Sequence, residues 1–265
     1  VHQFCKIAQF LNQVSTAPFS TSAVLAQVAE AIHWSEHRVA ELLESLTDSS
    51  PQIVLAGPPG TGKTYVSRWI ASALLGSPGE LDDPRISLVQ FHPTYGYEDF
   101  VEGLRPVSRD GAVVFETVPG PIVRLAHEIQ EDDEPRVLII DEINRANIPR
   151  VFGELMYLLE YRNQSMNLML EPNFVLPSQL HIIATMNTAD KSTRVMDVAM
   201  RRRFDFFQLD PDVEVLKAHY ADGHRNELGD ELFQGFVSLN NRLMEDLDKH
   251  RLIGQYMHEL LAGDK

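Results

Sequence analysis

Thiol chemistry is nearly absent from this sequence: Cys5 is its one cysteine. No intramolecular disulfide can form, and a reducing compartment, the cytoplasm, is expected. Basic residues are also scarce, 23 Lys and Arg against 38 Asp and Glu, a formal charge of −15. Such a chain repels a phosphate backbone on average, so contact with nucleic acid has to be local or belong to a partner. No apolar run approaches the roughly 18–20 residues of a membrane span, and no membrane partner is expected. No secretory signal opens the chain, although Val1 is not an initiator methionine. The 15 glycines and 15 prolines are scattered, which excludes collagen-like and low-complexity classes. What is present is 265 residues, 44% hydrophobic and 23% charged, ordinary for a globular chain of one large domain or of one domain plus a small appendage.

Apolar residues recur at helical spacing from Phe4 to Leu11 and from Ala23 to Leu46, where Val39, Leu42, Leu43 and Leu46 follow the i, i+3, i+4, i+7 pattern. Thr21 or Ser22 is placed to cap one helix and Ser35 the next, and Thr47-Asp48-Ser49-Ser50-Pro51 breaks the pattern. Residues 1–50 are therefore expected to be a helical N-terminal segment. Short aliphatic runs follow at Ile53–Ala56, Ile86–Phe91, Val137–Ile140 and Leu180–Thr185, separated by helical patterns. That alternation predicts an α/β fold with a parallel sheet over residues 51–209. After Leu209-Asp210-Pro211 only helical spacing remains, through Val213–Tyr220 and Leu232–Leu247, and residues 210–265 are expected to form a small helical lid. The acidic run Glu131-Asp132-Asp133-Glu134 reads as a solvated loop.

Gly57-Pro58-Pro59-Gly60-Thr61-Gly62-Lys63-Thr64 matches G-x-x-x-x-G-K-[ST] between an apolar strand and a helical pattern. In such a loop the glycines let backbone N–H groups turn inward around an anion, Lys63 neutralises the β- and γ-phosphates, and Thr64 ligates Mg²⁺. From average composition, a chance match in a chain of this length is of order 1%. A nucleoside triphosphate is the expected ligand.

The run Val137–Ile140 ends in Asp141-Glu142, and ligands of open α/β sheets bind at the carboxyl ends of strands. Asp141 is placed to hold Mg²⁺, and Glu142 to polarise an attacking water, which points to hydrolysis rather than binding alone. The next run ends at Met186-Asn187-Thr188-Ala189-Asp190, which brings an amide and a carboxylate to the same edge. Asn187 is placed to orient the water against the γ-phosphate.

Strand, phosphate loop, acidic pair and polar strand end, in this order and with a helical lid after them, resemble an AAA+ P-loop NTPase: a parallel sheet sandwiched by helices. Four segments narrow the resemblance: Phe91–Pro106, Asp141-Glu142-Ile143-Asn144-Arg145-Ala146-Asn147, Met186–Asp190 and Arg201-Arg202-Arg203-Phe204. Together they look like the McrB family, the GTP-hydrolysing motor subunits of modification-dependent restriction systems, over residues 50 to 260. The resemblance implies that Asn187 and Asp190 position the water and that Arg145 is an arginine finger reaching the adjacent subunit's nucleotide. Arg202 is a second candidate for phosphate sensing. It further implies Mg²⁺, GTP (ATP being the other candidate, since phosphate-loop chemistry is blind to the base), a hexameric ring, an McrC-like endonuclease partner, and DNA translocation in antiphage defence. Two other readings stay open, an ATP-driven protein remodeller and a nucleotide-dependent assembly switch. Lys191 stands where these proteins often have Arg, and Leu252–His258 only loosely matches the family's Ile-Gly-His segment. The modified-DNA reader of the family has no counterpart in the 50 residues before the sheet, so DNA is expected to be met through the complex or a separate reader.

Other signals carry less. His33-Trp34-Ser35-Glu36-His37 matches H-x-x-E-H, but it falls at a turn between helices rather than within one long helix. Segment 21–46 has helix-turn-helix spacing, yet Glu36, Glu41 and Glu44 accompany a single Arg38 on its second helix, a poor set for phosphate contacts. Tyr95, Tyr97 and Phe100 suit either a loop facing a pore or partner, or a packed core.

Overall fold

The computed structural model describes residues 22–109, 112–189, 198–221, 229–246 and 252–255. Phe4–Leu11, Cys5, Thr21, Asp190, Lys191 and Tyr256–His258 lie outside the described residues. Helices α1 (Ser22–Ile32) and α2 (Glu36–Glu44) form a hairpin. The hydroxyl of Ser35 caps α2, accepting from the Arg38 N–H at 3.3 Å. The breaker cluster does not end the helix at once. A π-type turn continues over Ser45–Ser49, the Thr47 hydroxyl donates back to the Leu43 carbonyl at 2.9 Å, and the backbone becomes extended only at Ser50.

Five parallel strands make the central sheet: β1 (Gln52–Gly57), β2 (Ile86–Gln90), β5 (Arg136–Asp141), β8 (Leu180–Asn187) and β9 (Asp205–Gln208), in the spatial order β2-β5-β8-β1-β9. Side chains of a strand alternate between faces, and each face here has its own core. Val54, Leu138, Ile140 and Ile182 pack with α5 (Pro121–Asp132), α6 (Ile148–Phe152) and α7 (Leu155–Glu160) on one side. Ile53, Leu55, Ile139 and Ile183 pack with α1, α2 and α3 (Lys63–Leu74) on the other. Burial on both faces is why the central strands read as continuous aliphatic runs.

Several features depart from the expectations. The acidic run is not a loop throughout: α5 continues to Asp132, because Arg136 binds Asp132 (2.6 Å) and Glu128 (2.8 Å) and neutralises their charge. Phe100 is fully buried and packs against the rings of Phe91 and Phe152, so this part of the aromatic set is core; the short helix α4 (Tyr97–Phe100), capped at Gly96, carries it. A two-stranded antiparallel hairpin, β3 (Glu102–Arg109) and β4 (Ala112–Pro119), is inserted between α4 and α5. Two short strands, β6 (Ser165–Met166) and β7 (Phe174–Val175), pair with each other ahead of β8. Strand β9 also lies outside the expected set. The helix α8 (Val198–Arg201) precedes it, and helices α9 (Val213–Ala221) and α10 (Gly229–Asp246) follow.

Candidate nucleotide site

The phosphate loop leaves the carboxyl end of β1 and enters α3 at Lys63. Gly60 (φ 78°) and Gly62 (φ 76°) take left-handed conformations that a side chain would strain, and this curls the loop. The Lys63 ammonium is folded into the curl, donating to the carbonyls of Gly57 (3.0 Å) and Pro58 (2.7 Å); the Thr61 hydroxyl also donates to the Pro58 carbonyl (3.0 Å). Burial holds the Lys63 pKa down at about 8, against the opposing pull of the Glu142 and Asp141 carboxylates. An anion entering the loop therefore meets an ammonium hydrogen-bonded to neutral oxygens.

Asp141 ends β5, two strands from β1, and the parallel register brings it level with Thr185 of β8 and Leu55 of β1, two residues before the loop begins at Gly57. Its Oδ1 accepts from two hydroxyls, Thr64 at 2.9 Å and Thr185 at 2.6 Å, and Gln90 Nε2 lies 3.5 Å from Oδ2. Thr64 and Asp141 thus form a close pair of hard oxygen donors, the chemistry that suits Mg²⁺. Glu142 follows in a left-handed conformation (φ 56°, ψ 45°), and its N–H donates to Thr185 Oγ1 at 3.1 Å. The 3₁₀ turn Ile143–Arg145 then places Arg145 Nε 3.4 Å from Glu142 Oε2.

Asn187 pairs with Gly57 in the parallel register. Its carbonyl accepts from Asn144 Nδ2 at 3.0 Å, its Oδ1 accepts from the Ala189 N–H at 3.0 Å, and the Thr188 N–H donates to the Gly57 carbonyl at 3.1 Å. Loop, acidic pair and Asn187 therefore lie together at the carboxyl ends of β1, β5 and β8. Arg202 does not join them. It is exposed at the opposite edge, where its neighbour Arg203 offers its carbonyl to Gln52 Nε2 (2.7 Å) at the start of β1. The length of β1, about 17 Å at 3.3 Å per residue, separates it from the loop of its own chain.

The segment after β9 reaches the loop through a contact that sequence reading does not anticipate. The Gly254 N–H donates to the Pro59 carbonyl at 2.8 Å, and the flanking Ile253 backbone is clamped by the Asn240 side-chain amide through two bonds, 2.8 and 3.0 Å. Thr185, Asn144, Gln90 and Gly254 are further site residues absent from the sequence-based set. Thr185 had a visible signal of its own, a hydroxyl interrupting an aliphatic strand, whereas Asn144 and Gly254 were visible only as members of the segments 141–147 and 252–258.

A family model described as AAA domain (dynein-related subfamily) matches residues 52–204, more than half of the chain. The chain belongs to this AAA family. Among characterised relatives, the Type IV methyl-directed restriction enzyme EcoKMcrB subunit of Escherichia coli K12 is 40% identical over 185 residues, covering 66% of this chain and 39% of its own. The Type II restriction enzyme BsuMI component YdiS of Bacillus subtilis 168 is 29% identical over 253 residues, covering 77% of this chain and 71% of its own. The chain thus spans about two fifths of the length of the E. coli relative. A solved structure of a Cytophaga hutchinsonii protein assigned as an ATPase superposes with a TM-score of 0.51 over 94% of this chain and 63% of that one, at 15% identity, a likeness of fold. The AAA fold and the McrB resemblance both stand on these matches. Among the described residues, no helix is long and apolar enough to cross a membrane.

Proposed function

We propose that this AAA NTPase is a GTP-hydrolysing, ring-forming cytoplasmic motor that works with an McrC-like endonuclease subunit to drive DNA translocation in restriction of phage DNA. The observation that carries hydrolysis is the meeting of Lys63, Thr64, Asp141 and Glu142 at one sheet edge, with Asn187 beside them. Lys63 and the loop amides bind the phosphates, while Thr64 and Asp141 hold Mg²⁺, which when bound offsets phosphate charge. Glu142 takes a proton from the attacking water, and Asn187 with Asp190 orients that water. Arg145 completes the site of the adjacent subunit; Arg202, too far from its own loop, also acts in trans if it acts on phosphate. A closed ring, hexameric in this reading, supplies every site with such a neighbour. GTP and the McrC-like partner rest on the McrB resemblance. The relatives' roles in restriction support the cellular setting, and the net charge of −15 assigns DNA contact chiefly to local surfaces or to the partner.

The test is steady-state hydrolysis of GTP and of ATP across protein concentration, for wild type, Arg145→Ala and a mixture of Arg145→Ala with Lys63→Ala chains. GTP turnover that rises steeply with concentration, is lost in Arg145→Ala and returns in the mixture is the expected result. ATP-only turnover moves the chain to the protein-remodelling reading. Nucleotide-dependent assembly without turnover, even with an McrC-like subunit, moves it to the switch.

A further inference from the structure

We propose that Thr185 is a positioning residue for hydrolysis, its single hydroxyl fixing both the cation-holding carboxylate and the water-activating one. Strand β8 lies between β5 and β1, and the register that pairs Ile140 with Ala184 puts Thr185 level with Asp141. Thr185 is buried, and Oγ1 makes two bonds of opposite sense. The Glu142 N–H can only donate to it (3.1 Å), so the one hydroxyl proton goes to Asp141 Oδ1 (2.6 Å). A hydrogen bond from a neutral donor to a carboxylate is short and directional, as this one is.

Two consequences follow for the chemistry. Asp141 Oδ1 takes donors from Thr64 and Thr185 at once, so the carboxylate plane is fixed before any nucleotide arrives. When Thr64 turns its oxygen to a cation, the Thr185 bond remains to hold Asp141 in place. Glu142 stands in a left-handed conformation that a glutamate seldom adopts, and the Thr185 oxygen is the acceptor that secures its N–H there. That backbone setting determines where the Glu142 side chain can go. The hydroxyl thus sits behind the reacting groups and acts through them, as outer-sphere partners do at metal sites.

The proposal rests on the hydrolase reading, so its test includes a measurement that needs no turnover. Binding of a fluorescent non-hydrolysable GTP analogue, and of its ATP counterpart, is titrated with Mg²⁺ for wild type, Thr185→Val, Thr185→Ser and Thr185→Cys, alongside kcat and KM. Thr185→Val keeps the branched shape and deletes the hydroxyl. The half-saturating Mg²⁺ is expected to rise about 10-fold and kcat to fall about 10- to 100-fold, with KM within about threefold. Thr185→Ser is expected to restore both. Should Thr185→Val not fold, Thr185→Cys, whose thiol is a poor donor and acceptor, carries the same expectation against Thr185→Ser. Wild-type Mg²⁺ dependence in the hydroxyl-deleted variant, or equal impairment in Thr185→Ser, overturns the proposal. Absence of wild-type turnover overturns the hydrolase reading, while the Mg²⁺ titration still decides whether Thr185 positions the cation-holding carboxylate.

Discussion

Gly254→Ala puts one methyl group where the strap of backbone at Ile253-Gly254 meets the phosphate loop. A Cβ built there falls inside the 3.0 Å limit that real Cβ atoms keep, against Gly60 C, Thr61 N and Gly60 O, all of them backbone atoms. Backbone of a curled loop cannot swing aside as a side chain can. Either the strap retreats by about 1 Å or the cradle opens, and a displacement of that size at an active site costs on the order of 100-fold in rate. Retreat also stretches the 2.8 Å bond from Gly254 N–H to the Pro59 carbonyl beyond hydrogen-bond range. The expected result is a loss of about 100-fold in kcat/KM for the preferred nucleotide, about 2.7 kcal/mol of transition-state stabilisation. The assay is steady-state phosphate release on a variant whose thermal unfolding has been compared with wild type. Gly235→Ala is the control: Gly235 lies in α10 with nothing within 4 Å of an added Cβ, and there the change should stabilise the helix by about 0.5–1 kcal/mol. Wild-type kcat/KM in a folded Gly254→Ala protein would refute the strap's role in catalysis.

Two other perturbations give separate readings. The Lys63 ammonium, held at about pH 8 by burial, is charged below that pH and neutral above it, whereas a bound triphosphate favours the charged form. Nucleotide affinity should therefore be flat below about pH 8 and weaken by up to about tenfold per pH unit above it; a labelled-nucleotide titration that stays flat to about pH 9.5 contradicts this. Gln52 is a buried hub at the other end of β1, donating to the carbonyls of Leu159 (2.9 Å) and Arg203 (2.7 Å) and accepting from Arg162 Nη2. Gln52→Leu removes a bond from each of the three partners, leaving the Arg203 carbonyl the weaker 3.4 Å bond from Ser50 Oγ, and should destabilise by about 3–5 kcal/mol, read by urea unfolding; a loss below about 1 kcal/mol would show that the partners find water instead.

Legibility in the sequence followed from how many constraints each segment obeys. The β1–α3 crossing was readable because an apolar strand, a glycine loop and a helix start coincide within 57–64, and no other local structure satisfies all three. Strands β5 and β8 were readable because burial on both faces leaves an unbroken aliphatic run inside each, Val137–Ile140 and Ile182–Ala184. Strand β9 was not: Asp205-Phe206-Phe207-Gln208 is four residues long at the sheet edge and partly exposed, so neither continuity nor alternation develops. The β3–β4 hairpin hides for another reason. It stands largely away from the core, with Leu104, Val113 and Phe115 more than half exposed, so its apolar residues mark no buried face. The Asp110-Gly111 pair between its strands is a local hairpin signal, and no alternating buried face accompanies it. At the site, the residues that touch phosphate in a known pattern were legible, whereas Thr185, Asn144 and Gly254 act through register and close approach across more than 40 residues of chain, which one-dimensional spacing does not encode.

The pairing of Arg145 with Glu142 joins the geometry to the proposed ring. A finger that acts on a neighbour has to leave whatever it touches in its own subunit, and the strength of that contact decides whether assembly can recruit it. Arg145 Nε lies 3.4 Å from Glu142 Oε2, and its side chain is 44% exposed. The Glu142 side chain is only 20% exposed and its Oε2 is buried, so the pair lies between an exposed pair, which contributes about 0–1 kcal/mol, and a dry buried pair, whose separation costs about 3–5 kcal/mol. Departure of Arg145 gives up an interaction between these limits, which contacts at a subunit interface have to offset, and the same departure uncovers the carboxylate that has to accept the water's proton. In the proposed ring, the step that completes one subunit's site prepares the general base of the next. Glu142→Gln, which weakens the pair without removing hydrogen-bonding atoms, should then leave assembly intact or slightly favoured while abolishing turnover. Loss of assembly in that variant, measured by sedimentation with a non-hydrolysable nucleotide, would mean that the pair belongs to the interface itself rather than to the isolated subunit.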